Sequence, residues 1–243
     1  MANFTVGVAA GADDWWHASD GGFGTANVYL LVGESPYSAA TDHFGLRFQG
    51  VTIAPGSSIS DATIAFRTLA DTEGSGTLLT KIAAIDEDNA AAATTAAECT
   101  TDHGIRTTAQ PDWDFTIVDA DDSALVTVGF PSVVQEIVDR AGWVSGNALV
   151  LNVFDDGNTN KRQWMASWDH GTFVEPTISI TYTVVVNGSV SPATVGAISG
   201  VPAVTTTASV TVTPATVGAI AGVPAVTVVT PDAATSPATV GAI

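Results

Sequence analysis

The sequence predicts an all-β fold: an antiparallel jelly-roll β-sandwich with one short helix, followed by a C-terminal segment of extended or β-type repeats. Three observations carry this. Up to Val185, short runs rich in Val, Ile, Thr and aromatic residues alternate with Gly, Pro, Asn and Asp, the punctuation of a sandwich. The run Asp61 to Thr68 alternates in full, with Ala62, Ile64 and Phe66 on one face and Asp61, Thr63, Ala65 and Arg67 on the other. From Thr183 onward there is no aromatic residue and Asp232 is the only formal charge, while PATVGAI occurs three times (from Pro192, Pro214 and Pro237) and GVPAVT twice (from Gly200 and Gly222).

Taken in order, the expected strands are Asn3 to Ala9, Asn27 to Val32, His43 to Phe48, Asp61 to Thr68, Leu78 to Ile85, Trp113 to Ile117, Leu149 to Phe154, Arg162 to Trp168 and Thr177 to Val185. The helix begins at Pro131. Ser132 and Gln135 have capping-box spacing, Val133, Val134, Ile137 and Val138 form the apolar stripe, and Gly142 ends it. So short a helix must pack on a sheet to persist. Ala90 to Ala97 is rich in alanine but lacks large apolar residues, and reads as loop or a single turn.

The chain divides into a head, 1–183, and a repeat segment, 184–243. The head contains every Lys, Arg, Trp, Phe and Tyr of the chain. It is long enough for one buried core. With 24 of the 25 acidic residues against seven basic ones it repels phosphate backbones and anionic lipid, so neither nucleic acid nor membrane is an expected partner. A single cysteine, Cys99, builds no disulfide framework, and MANFTVGVAAGADDWW has neither the basic flank nor the apolar run of a secretory signal. Synthesis in a cytoplasm without export by that route is the expectation. No apolar run approaches the length of a membrane-spanning helix.

Several segments share a pattern with a known family: FGLRFQGVTIAPGSSISDATIAF from Phe44, KIAAIDEDNAA from Lys81, SVVQEIVDRAGWVSGNALVLNV from Ser132, and KRQWMASWDHG from Lys161 ahead of PTISITYT. Together they resemble the carbohydrate-binding-module-like jelly rolls often called DNRLRE domains, which occur in secreted polysaccharide-acting enzymes, bacterial surface proteins and phage virion proteins. The resemblance spans Asn3 to Thr183. It implies a two-sheet jelly roll with one helix and a non-catalytic role in adhesion or display. A phage virion protein, released by lysis and exposed on the particle, reconciles that role with the missing export signal.

Candidate sites are of two kinds. Trp164 and Trp168 fall with Arg162 on one side of an extended Arg162–Trp168 strand, a platform for stacking on a pyranose, though plain core packing is the alternative. Core burial is also the reading for Trp113 and Trp143. Trp15 and Trp16, if extended, project to opposite sides, which makes Asp13 to Gly24 a place to look for recognition. Oxygen-rich loops come next: Asp86 and Asp88 after a strand, and Asp155, Asp156 and Asn158 in a turn, could contribute ligands to Ca²⁺ or be solvated turns bonded to their own backbone. Enzyme signatures are absent from the sequence: no HExxH pair, no GxSxG elbow, no phosphate loop, and only an isolated Cys99–His103 pair, four residues apart, with no third orienting group in view.

The repeats recur at 22 or 23 residues, with Gly in mid-motif and Pro where a backbone N–H is dispensable. Their side chains are too small to close a core alone, so the expectation is burial against identical chains. A homotrimer within a virion, contacting other virion proteins and glycans, is the arrangement expected. A disordered linker or, for the head, a secreted carbohydrate-binding module are the competing readings.

Overall fold

Alternating burial along the chain sorts its strands into two antiparallel sheets that face each other. The computed structural model describes residues 1–35, 39–70, 72–102, 105–125 and 128–184; the repeats, the strand end predicted at Val185 and the His103 of the Cys99 pair lie outside them. The strands are β1 (Ala2–Gly7), β2 (Asp14–Ala18), β3 (Phe23–Gly24), β4 (Tyr29–Glu34), β5 (Thr41–Phe48), β6 (Ser58–Arg67), β7 (Thr77–Leu78), β8 (Thr80–Ala84), β9 (Phe115–Thr116), β10 (Ala124–Leu125), β11 (Leu149–Asp155), β12 (Arg162–Ala166) and β13 (Thr177–Thr183). One sheet runs β1-β13-β6-β10, the other β12-β4-β5-β11-β8, with β2 also pairing with β5 and β3 beyond it, and β7 pairs β9 separately. The result is the all-β, jelly-roll-like sandwich that the periodicity predicts, closed within the compact unit Met1–Val184.

The register explains the core. Ile178 faces Ile64 and Ile180 faces Ala62 across β13 and β6, so one row of each strand points inward; all four are buried. From the other sheet Phe44, Leu46 and Phe48 of β5 and Leu149, Leu151 and Val153 of β11 meet them. Edge-to-face rings link the two layers: Phe44 to Phe66 at 5.6 Å, Phe66 to Trp113 at 5.9 Å and Trp113 to Phe115 at 5.4 Å. Such contacts add to the burial itself. Trp143 is buried too, its indole N–H donating to the Ile53 carbonyl at 3.0 Å.

Among the described residues two helices decorate the sandwich. The one nearer the N-terminus, α1, spans Ala96–Asp102 and takes in Ala96 and Ala97, the end of the alanine-rich stretch read as loop or a single turn. Its Cys99 is buried with Trp15, Ile85, Ala90, Ala93 and Val150 in a second, smaller cluster. The predicted helix, α2, is Pro131–Val138, with Pro at its first turn and Val133, Val134, Ile137 and Val138 buried against β6 and β8. Its capping box does not form. No side chain caps the N-terminus; Gln135 instead accepts the Ile59 N–H at 2.8 Å and donates to the Ser57 carbonyl at 3.0 Å, tying the helix to the start of β6.

The predicted strand Trp113 to Ile117 shrinks to Phe115–Thr116, and Arg162 to Trp168 ends at Ala166. Three strands were not expected: β2, β3 and β10. Among the described residues no helix is long and apolar enough to cross a membrane.

Candidate functional site

The site grows from β2. Its extended backbone sends Asp14, Trp16 and Ala18 one way and Trp15 and His17 the other, as the spacing predicts for adjacent tryptophans. Trp15 lies in the second cluster, 2% exposed, and does not reach the site. There its indole occupies the space where Gly45 lacks a side chain. Trp16, opposite Gly24 of β3 and Phe44 of β5, is the one that lines a pocket.

The opposite wall comes from β4 and β12, where Trp164 pairs with Leu31 and Arg162 with Gly33. Gly33 has φ of 116° and sits so close to the Lys161 carbonyl that a Cβ would overlap it. That close approach is tolerable for glycine alone, and it carries Arg162 toward Asp42, the β5 partner of Gly33. The Arg162 guanidinium then donates to Glu73 at 2.6 and 2.9 Å and to Asp42 at 3.0 Å. Its carbon lies 5.3 Å from the Trp164 ring, whose other neighbour is Tyr29 at 4.6 Å. The pocket between these walls is about 230 Å³, lined by Trp16, Tyr29, Leu31, Asp42, Arg162 and Trp164, with Asp20, Ser35 and Ala40 among the remaining lining residues.

Three predicted residues, Trp16, Arg162 and Trp164, thus converge. Trp168 does not: the chain leaves β12 at Ala166 and turns into a 3-10 segment at Trp168–His170, leaving Trp168 43% exposed and its backbone N–H donating to Asp14 at 2.7 Å. Tyr29, Asp42 and Glu73 were missed, while Asp20 falls within the Asp13 to Gly24 segment expected to hold recognition. Tyr29 lies within the predicted strand Asn27 to Val32, but the pairing that faces it toward Trp164 joins segments over a hundred positions apart, and no local spacing announces such a contact. The indole N–H groups of Trp16 and Trp164 are buried with no acceptor among the described residues.

On the other face of β2, His17 Nδ1 and His43 Nε2 of β5 are 2.7 Å apart, a hydrogen bond needing one neutral ring to accept. Burial holds His17 below the ordinary histidine range. Asp14, 1% exposed, is pushed up to about 7 by burial, opposed by the Trp168 N–H and reinforced by Asp169 and Asp13.

The oxygen-rich loops lie elsewhere, and their oxygens are engaged by the protein. Arg140 Nε donates to Asp88 at 2.7 Å and its Nη1 to Asp86. In the turn, Asp155 accepts the Gly157 N–H at 3.0 Å and the Asn158 N–H at 3.3 Å, Asp156 pairs with Lys81, and Asn158 accepts the Leu79 N–H at 2.9 Å. Asp86 and Asp88 are not brought together with Asp155, Asp156 and Asn158, and among the described residues no group of three or more acidic, His or Cys side chains is arranged around a common metal position. A cation at Asp86 and Asp88 would have to displace a guanidinium.

The cleft thus combines tilted aromatic walls with a largely buried ion-pair cluster of Arg162, Glu73 and Asp42, the mix of apolar surface and a few placed polar groups that small-molecule pockets share. No protein-family model matches the chain and no curated protein matches its sequence.

Proposed function

We propose that this chain is a non-catalytic structural subunit of a virion, a phage fibre or capsid-decoration protein, whose acidic jelly-roll-like head is displayed and whose C-terminal repeats assemble it. The observation that carries the reading is the division of labour along the chain. The sandwich closes its core by Val184, and the remaining sequence holds three copies of an uncharged, methyl-rich motif with no aromatic residue to build a core of its own. Three identical chains shelter such edges most simply. The test is the solution mass of the full chain beside a version ending at Thr183: a trimer falling to a monomer is expected, and two monomers would remove the assembly role.

The pocket favours a second reading, a glycan-binding module, which is compatible with the first if the displayed head contacts host glycans. Trp16, Tyr29 and Trp164 around one small cavity are what supports it, since aromatic faces match the C–H faces of a sugar.

A further inference from the structure

The charges around the pocket are unequal. Among the described residues its lining has one cation, Arg162, which gives three of its five N–H donors and the balance of its charge to Glu73 and Asp42, and Asp20 adds a third carboxylate. The immediate surroundings therefore hold three negative charges against one positive, in a head that is itself strongly acidic. Fork-like pairing of Arg162 with an incoming carboxylate would draw it away from Asp42, whose side chain is only 3% exposed, leaving that charge unpaired in a partly dry site, a costly exchange. What remains for a ligand to meet is neutral: the parts of the Trp16, Tyr29 and Trp164 rings that line the cavity, the indole N–H groups of Trp16 and Trp164 being themselves buried.

We propose that this pocket selects glycans by charge, taking an uncharged pyranose against the Trp164 and Tyr29 rings and excluding uronic and sialic acid types. The inference rests on the glycan-binding reading of the pocket and adds its specificity. Selection arises from repulsion as much as from fit, because a like-charged ligand meets Asp20, Asp42 and Glu73 while the Arg162 guanidinium is already engaged.

The test is calorimetric titration of the full chain with three sets of oligosaccharides: neutral glucose oligomers, N-acetylglucosamine oligomers and uronic acid oligomers. A neutral set is expected to bind at least about tenfold more tightly than the uronic set. Trp164→Ala should abolish that binding. Because Trp164 belongs to a strand and its loss could unsettle the fold, Asp20→Asn at the exposed rim is the second variant: it should narrow the gap by about threefold at low salt and by less at high salt. Uronic oligomers binding as well as the neutral ones would overturn the charge selection and leave the glycan reading standing. Silence from all three sets, with every protein folded, would remove both.

Discussion

At the residue scale the most consequential group is Asp14. Its carboxyl rises to about 7 from an ordinary 3.8 because it is buried, so the folded state holds a proton that the unfolded chain gives up across that range. Its contribution is therefore a penalty that is absent below about pH 4, grows as pH rises and is complete above about pH 7. Asp14→Asn, which keeps an oxygen for the Trp168 N–H, is expected to be more stable than the parent at pH 8, by up to about 4 kcal/mol, and little changed at pH 4. Denaturant melts at the two pH values check it. His17 has the opposite sign: buried and held neutral, it costs stability as pH falls below its unfolded value of 6.5. In the Asn variant, with the aspartate slope gone, loss of stability on acidification through pH 6 should emerge, and an unchanged midpoint would refute the assignment.

Gly45 belongs to the same scale. A Cβ there would overlap the Trp15 indole, which is itself packed with Ala90, Ala93 and Cys99. Gly45→Ala is expected to cost about 3 kcal/mol, since neither layer can yield. A melting temperature within about a degree of the parent would show that Trp15 has somewhere else to go.

At the scale of the element, α2 shows what a local pattern can and cannot reveal. Pro131 and the stripe of Val133, Val134, Ile137 and Val138 were enough to place the helix. Gln135 was misjudged, because its spacing from Ser132 suits a cap while its actual partners, Ile59 and Ser57, lie across the fold. Gln135→Ala would leave that N–H and carbonyl unbonded and is expected to destabilise by about 2 kcal/mol with no change in helix content. Near-UV and far-UV dichroism with a denaturant melt separate this from simple fraying. Strand β2 escaped prediction for a related reason. In DDWWHA both faces are covered, so buried Asp14 and His17 break the alternation that half-exposed strands such as β6 display. The Arg162 strand was visible, but its end was not: Trp168 continues the alternation on paper and departs from it in space.

For the whole molecule, charge is the governing quantity. The formal net charge of −18 produces self-repulsion that folding intensifies and salt relieves. The melting temperature should therefore rise by a few degrees between about 20 and about 300 mM NaCl, where the screening length falls from roughly 20 Å to under 10 Å. A falling temperature would mean that ion pairs such as Arg140 with Asp86 and Asp88 outweigh the general repulsion.

The amino-acid order alone determined the all-β class, the place of the principal helix, the burial of Trp113 and Trp143, and the opposite projection of Trp15 and Trp16, because each comes from periodicity within a few residues. Tertiary structure decided which tryptophans share a pocket, that Arg162 is paired with Glu73 and Asp42, and that burial raises the Asp14 carboxyl. Those outcomes depend on strands such as β4 and β12 meeting across more than a hundred residues, and on the water their meeting drives out, neither of which is written in any short window of the chain.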